Sequence, residues 1–133
     1  MLLRDAVRAF AEADPQAHDA CMDRLTALAT EGVAACEAGD AAAFLAAVDA
    51  YREGMDALGR GAGLPIVSEA HAALAAIATE AGVAYKPSGA GGGDVGLLFA
   101  PTQAALVEAG RKAEAAGYRL VPLDVHSTGV ELT

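Results

Sequence analysis

The stretch KPSGAGGGD at residues 86–94, followed by VGLLFA at 95–100, is where the repeating pattern of this chain changes. Before it, apolar residues recur at the three- and four-residue spacing of amphipathic helices. Around it, short runs rich in branched and aromatic residues are bounded by glycine and proline, which favours strands. The sequence therefore predicts a helical part over about residues 1–82, and a glycine loop with a sheet over about residues 83–133.

Capping residues set the predicted helix boundaries. Asp14, which precedes a proline, and Asp40 can each accept a hydrogen bond from the first turn of the helix that follows. The third helix is predicted to end within the glycine-rich run 59–63, and the fourth to end at Gly82. Four helices therefore precede the glycine stretch.

A fifth helix and four strands complete the predicted fold. The helix begins at Pro101 and ends at Gly117. The order of elements favours an α+β fold, in which an antiparallel four-stranded sheet has helices packed on one face. A chain of 133 residues has room for one hydrophobic core, so residues 1–133 are predicted to form a single domain. The strands are predicted at residues 83–85, 95–100, 118–125 and 128–132.

The charge of the chain restricts the partners that it can bind. Nine basic residues against 18 acidic ones give a net charge of -9. Nucleic acids and anionic membranes are bound by clustered lysine and arginine, so we expect neither as a partner. The first residues lack the long apolar core of a signal peptide, and a cytoplasmic location is expected.

The two cysteines do not form a recognisable metal site. Cys21 and Cys36 lie fifteen residues apart in predicted helices, with no Cys-x-x-Cys pair and no neighbouring histidine cluster. Cysteine is among the residue types most often found in protein interiors. Both are therefore expected to be buried free thiols, and no metal ligand is predicted.

The glycine stretch has the composition of an anion-binding loop. Four glycines among residues 88–94 permit backbone angles that turn successive N–H groups into a concave surface, where a phosphate can approach the main chain. Lys86 adds a mobile cation and Ser88 a hydroxyl at the same rim. Asp94 would repel a phosphate, so a structural role is favoured for it. A flexible hairpin loop or linker is the alternative interpretation of the same glycines.

The string KPSGAGGGD followed by VGLLFA resembles the third conserved motif of the GHMP kinases. The aspartate after three glycines makes the resemblance greatest to the phosphomevalonate kinase and mevalonate kinase branch. Val95 stands where a cysteine is frequent in that family. The resemblance spans most of the chain and is strongest over residues 58–100.

The resemblance implies that this chain is the C-terminal domain of an ATP-dependent small-molecule kinase, with a phosphorylated acceptor from isoprenoid biosynthesis. In that family the third motif lines the cleft between two domains. ATP and Mg²⁺ are expected only in the complete two-domain kinase and not for this chain alone, because no Pro-x-x-x-Gly-Leu-Gly-Ser-Ser-Ala loop occurs here. No catalytic residue is assigned. The implied phosphate- and substrate-binding residues are Lys86, Ser88, Gly89, Ala90, Gly91, Gly92, Gly93 and Asp94.

The implied partner is an N-terminal kinase domain, supplied by the same gene or by a split partner chain. Half a cleft should be nearly inert, because phosphoryl transfer depends on positioning and charge neutralisation. A homo-oligomer is a further possibility if the docking face is apolar. The alternatives are a non-catalytic module that binds a ligand or partner, and half of a homoserine or sugar kinase.

Several residues outside the glycine stretch are weaker candidates. His71 is expected to be a hydrogen-bonded histidine of the core or the cleft edge. Arg52 and Arg60 are candidate anion contacts, although pairing with a nearby carboxylate is at least as common. Tyr51 could flank a substrate, but core packing is the more common role. His126, beside a serine and near an aspartate, is too close to them in sequence to favour a catalytic triad.

Overall fold

We describe the fold from a computed structural model, in which residues 1–93 and 95–123 are described. It contains five α-helices and two β-strands. The helices are α1 (Leu3–Ala13), α2 (Pro15–Ala38), α3 (Ala41–Ala62), α4 (Glu69–Glu80) and α5 (Gln103–Ala115). The strands are β1 (Ala84–Pro87) and β2 (Gly96–Phe99).

The capping residues begin the helices where the sequence predicts. The Asp14 carboxylate accepts a hydrogen bond from the Ala17 N–H at 3.0 Å, and the Asp40 carboxylate accepts one from the Ala43 N–H at 3.0 Å. Gly39, with φ of +67°, ends α2 in the left-handed conformation that glycine adopts at low cost. These bonds satisfy backbone groups that helix ends leave without partners.

The third helix ends within the glycine run 59–63, as predicted, but only at the last residues of that run. Helix α3 continues through Gly59 and Gly61 and ends only at Gly63, where φ is +70°. Both helical glycines lie at close contacts: a Cβ on Gly59 would lie 2.7 Å from the Leu64 carbonyl oxygen, and one on Gly61 would lie 2.5 Å from the Phe10 ring. These glycines therefore provide room for neighbouring segments instead of ending the helix.

Helices α1, α2 and α3 share one hydrophobic core. Gly54 of α3 lies so close to α2 that a Cβ at this position would come within 2.8 Å of Leu25 Cδ2. Met55 of α3 is 5% exposed. The buried residues of this core are Leu25, Met55, Leu58 and Ile66.

A second core lies between the strands and the last two helices. Its members are mostly small, which allows α4 and α5 to approach the sheet closely. The largest is Tyr85 of β1, with a side chain that is 1% exposed. The buried residues of this core are Ala75, Ala78, Val83, Tyr85 and Ala109.

The prediction of a four-stranded sheet was wrong. In the described part of the chain the sheet consists of β1 and β2, paired antiparallel with Ala84 opposite Phe99. Residues 118–123 form no strand. The Tyr118 hydroxyl instead donates to the Ala70 carbonyl at 3.3 Å, which holds this segment against α4. The prediction for residues 128–132 lies outside the described residues.

The predicted placement of all helices on one face of the sheet was also wrong. The Phe99 ring of β2 packs edge-on against Phe44 of α3, with ring centroids 5.5 Å apart. On the opposite face, Tyr85 packs with alanines of α4 and α5. Because successive residues of a strand point to opposite faces, two short strands can contact helices on both sides.

The cysteine prediction is correct in part. Cys21 and Cys36 are both free, but Cys21 is half-buried and Cys36 is exposed, so the predicted burial was wrong for Cys36. Cys36 lies on the solvent side of α2, next to the buried Ala35. No helix in the described ranges has both the length and the hydropathy needed to cross a membrane.

Candidate functional site

The glycine loop comprises residues 88–95 and joins β1 to β2. The Ser88 N–H donates to the Val95 carbonyl at 2.9 Å and closes the loop at its base. The φ angles of Gly89, Gly91 and Gly92 are +62°, +80° and +64°, a region that residues with side chains rarely adopt. Three of the predicted glycines are therefore required by the backbone. Asp94 lies outside the described residues.

The loop is attached to the segment that precedes α4. The Gly92 N–H donates to the Ile66 carbonyl at 2.7 Å. Gly91 packs so tightly that a Cβ would lie 2.7 Å from the same carbonyl oxygen. Ile66 itself is 3% exposed and belongs to the core of the first three helices. The loop is thereby fixed to the core and is not a flexible linker.

A second attachment comes from His71, which lies in the first turn of α4. Its Nε2 lies 3.1 Å from the Gly93 carbonyl oxygen, and its Nδ1 lies 2.6 Å from the Tyr85 hydroxyl oxygen. The residue is 3% exposed. The prediction of a hydrogen-bonded histidine of the core is confirmed.

The free edge of β1 is covered by two side chains of α3. The Tyr85 N–H donates to the Asp49 carboxylate at 3.2 Å, and Arg52 Nη1 donates to the Tyr85 carbonyl at 3.0 Å. Arg52 also forms an ion pair with Asp49 at 2.6 Å. These side chains replace the backbone partners that a neighbouring strand would supply. Arg52 is therefore committed to the structure and is a poor candidate for binding an anion.

Arg60, the other arginine candidate, pairs with Asp56 one helical turn away. The Arg60 side chain is 76% exposed. Its ion pair is thus the common surface pairing that the sequence left open as an alternative. His126 and its neighbouring serine and aspartate lie outside the described residues.

Lys86 lies on β1 beside the base of the glycine loop. Its ammonium donates to the Pro87 carbonyl at 2.7 Å and lies 5.8 Å from the centroid of the Tyr51 ring. Burial lowers the pKa of Lys86 from its ordinary value, because a partly desolvated site disfavours the charged form. In the ranges that the structure describes, no carboxylate pairs with this ammonium.

Tyr51 also borders a groove on the surface of α2. The groove has a volume of about 450 Å³. Its floor is apolar, and the hydroxyls of Thr26 and Thr30 donate to helix carbonyls four residues earlier. The other residues that line it are Met22, Leu25, Ala29 and Val33.

Several backbone donors of the loop have no acceptor in residues 1–93 and 95–123. They are the N–H groups of Gly89, Ala90 and Gly93. Ser88, Gly89 and Ala90 are exposed to solvent. Exposed N–H groups on a backbone of fixed shape, beside a partly buried ammonium, form the kind of surface that binds oxyanions. The described residues include no cluster suited to a metal ion.

Two features of this site were not predicted from the sequence. One is the contact of Ile66 with Gly91 and Gly92. Nothing in the sequence distinguishes this isoleucine from any other isoleucine of a hydrophobic core. The other is the pairing of Asp49 and Arg52 with the edge of β1. Their spacing of three residues on one helix face indicates an ion pair, but it does not reveal the strand that the pair contacts.

Comparisons with known proteins reveal one similar solved structure. No family model and no curated protein match the chain. A crystal structure of the Lin0012 protein from Listeria innocua is similar, with a TM-score of 0.84 and 25% sequence identity over 89% of this chain. This chain spans 33% of the length of that one. The fold described above therefore occurs within a longer protein chain.

Proposed function

We propose that this chain is the phosphate- and acceptor-facing domain of an ATP-dependent small-molecule kinase of the GHMP type, in its phosphomevalonate kinase-like branch. The observation that supports the proposal most directly is the glycine loop, with three left-handed glycines and N–H groups that have no described acceptor, beside the ammonium of Lys86. The motif resemblance supplies the family, and the loop geometry supplies a physical reason for phosphate binding.

The attachments of the loop favour binding over flexibility. Ile66 holds the loop at Gly92, and His71 holds it at Gly93. A loop that is already ordered loses little conformational entropy when a ligand binds. A pre-organised loop is also what phosphoryl transfer needs, because its catalysis consists mainly of positioning and charge stabilisation.

Lys86 would supply the positive charge of this site. An ammonium has three N–H donors, and one of them is used by the Pro87 carbonyl. The remaining donors can bind a phosphoryl oxygen of the acceptor or of the transferred group. Partial burial strengthens this attraction, because water screens the charge less.

The nucleotide and its Mg²⁺ would be bound by an N-terminal domain or a split partner chain, with the glycine loop as the opposite wall of the cleft. The similar Listeria protein is about three times as long as the matched segment, which supports a larger assembly for this fold. Val95 at the end of the loop and Leu97 of β2 are 49% and 36% exposed, and an adjoining domain would cover them. A cytoplasmic location fits this proposal.

Amide NMR of the chain during titration with inorganic phosphate tests the site. We expect the signals of Gly89–Gly93 to shift, with sulfate as an anion of similar shape for comparison. Lys86→Gln should weaken phosphate binding about tenfold, because it removes a charge-assisted hydrogen bond. Lys112→Gln on α5 is the matched control, since Lys86 and Lys112 are the two lysines of the chain. Shifts confined to other residues would contradict the proposed site.

An ATP turnover assay tests whether kinase activity requires a second domain. The chain alone should release ADP at a negligible rate with phosphomevalonate as the acceptor. Addition of an N-terminal domain that carries the glycine-serine nucleotide loop should restore turnover that depends on the acceptor. Turnover by the chain alone at ordinary kinase rates, about 1–100 s⁻¹, would exclude the proposed incomplete cleft.

A further inference from the structure

His71 connects three separate parts of the fold. It belongs to α4, its Nδ1 lies 2.6 Å from the hydroxyl of Tyr85 on β1, and its Nε2 lies 3.1 Å from the carbonyl of Gly93 in the glycine loop. With 3% of its surface exposed, the ring has little access to water. Each ring nitrogen therefore depends on its protein partner for a hydrogen bond.

The chemistry of the partners determines where the imidazole proton resides. A carbonyl oxygen can only accept, so Nε2 must carry the proton and donate it to Gly93. In the neutral ring Nδ1 is then an acceptor, and the Tyr85 O–H donates to it. Burial raises the pKa of Tyr85 to about 12, which keeps this phenol protonated at neutral pH. The two bonds thus run in one direction, from Tyr85 through His71 to the loop.

The other end of this series is anchored on α3. The N–H and the carbonyl of Tyr85 are bound by Asp49 and Arg52. The phenol is further confined by Gly96, since a Cβ at that position would collide with its hydroxyl oxygen. Tyr85 therefore has little freedom to move away from His71.

We infer that His71 is a positioning residue, which fixes the conformation of the glycine loop through Gly93 without touching the bound anion. The inference deepens the proposed function and rests on it for the identity of the ligand. Ile66 holds the N–H of Gly92, and His71 holds the carbonyl of Gly93, the next residue of the loop. Loss of the His71 bond would leave the Ile66 bond as the remaining described attachment of the tip of the loop, and left-handed glycines would then explore other conformations.

The experiment compares two substitutions of His71 that differ in hydrogen bonding. His71→Leu is apolar and leaves both partners without a bond. His71→Gln retains an N–H donor for Gly93 and an oxygen acceptor for Tyr85. His18→Leu is the control. His18 lies on α2, and its hydrogen bond is to the neighbouring Asp19 and not to the loop.

Hydrogen exchange of the Gly92 amide in the ligand-free chain is the primary measurement. The exchange rate should rise about tenfold in His71→Leu, which corresponds to the loss of one hydrogen bond. It should stay within about threefold of the unmodified chain in His71→Gln and in the His18 control. Tyr85→Phe, which retains the ring and removes the hydroxyl, should raise the rate about threefold. This variant provides the test if the leucine variant does not fold.

Two results would overturn the inference. One is an unchanged Gly92 exchange rate in His71→Leu, and the other is a glutamine variant that behaves like the leucine variant. The nitrogen chemical shifts of the ring give an independent check, since they must show the proton on Nε2. Phosphate titration of the unmodified chain tests the proposed function independently of the exchange measurements. If it shows no binding while the exchange results hold, the proposed function fails and the positioning role stands.

Discussion

Arg52 Nη1 donates a hydrogen bond to the backbone carbonyl of Tyr85 at 3.0 Å, at the edge of β1 that faces α3. The same guanidinium lies 2.6 Å from Asp49, which accepts the N–H of Tyr85. A side-chain ion pair thus supplies hydrogen-bond partners for the backbone N–H and carbonyl of one residue at the strand edge. This arrangement places Tyr85, and through it His71 and the glycine loop, in a fixed position relative to α3.

Arg52→Ala should lower the free energy of unfolding by about 2 kcal/mol. The change leaves the Tyr85 carbonyl without its charged donor in a site where water has little access. Unfolding in urea, monitored by circular dichroism, measures the difference. Arg60→Ala is the matched control, because its ion pair with Asp56 is exposed, and it should change the free energy of unfolding by less than about 0.5 kcal/mol. Equal losses in the two variants would contradict the structural role of Arg52.

Gly91→Ala and Gly89→Ala should differ although both residues have positive φ. At Gly89 a Cβ meets no atom within 4 Å, so the cost is backbone strain alone, about 1 kcal/mol. At Gly91 a Cβ would also collide with Ile66, and the total loss should reach about 3 kcal/mol. Urea unfolding of the two variants tests this prediction. A Gly89 variant as unstable as the Gly91 variant would show that the loop is not packed on Ile66.

Tyr85 should ionise only at a pH well above 10. Its pKa is raised from 10.0 to about 12, first by burial and second by the neighbouring Tyr118, while Arg52 opposes the shift. A raised folded pKa means that the unfolded chain loses this proton first. The stability linked to Tyr85 is therefore fully present below pH 10 and is lost as the pH rises to about 12.

The absorbance of phenolate, followed between pH 9 and pH 13, measures this titration. One of the three tyrosines should ionise in a separate late phase, and Tyr85→Phe should remove that phase. Tyr118→Phe serves as the control, because it should leave a late phase in place. A titration in which all the phenols ionise near pH 10 in the folded chain would show that Tyr85 is not buried.

Phosphate should raise the pKa of Lys86. Burial holds this pKa below its ordinary value of 10.5, and a bound anion stabilises the ammonium form. Reductive methylation with a ¹³C label, followed by NMR at increasing pH, reports the titration of each lysine. The Lys112 signal should not respond to phosphate. If the Lys86 titration is the same with and without phosphate, the ammonium does not contact the anion.

Local sequence signals were sufficient for most of the helices. Asp14 and Asp40 cap the helices that follow, and Gly39 ends α2, because these effects involve residues within one turn of each other. The same local reasoning placed the end of α3 within the run 59–63, but it did not show that Gly59 and Gly61 lie inside the helix. Glycine in a helix can serve close packing as well as termination, and only the neighbouring segments distinguish the two roles.

The extent of the sheet could not be predicted from strand propensity. Residues 118–123 have branched and aromatic side chains suited to a strand, yet Tyr118 bonds to α4 and Leu120 packs near Gly110 of α5. Meanwhile the edge of β1 is occupied by Asp49 and Arg52. A strand forms only where an edge is available for pairing, and that availability depends on distant parts of the chain.

By itself, the sequence determined the helical first part, the two strands around the glycine stretch and the left-handed conformations that its glycines permit. These follow from backbone preferences and side-chain periodicity, which act over a few residues. The tertiary structure alone decided that the stretch is a loop of fixed shape. The contacts responsible, from Ile66, from His71 and through Tyr85 from Arg52, come from residues that are distant in sequence. Hydrogen bonds between such residues depend on how the helices pack, which no local pattern encodes.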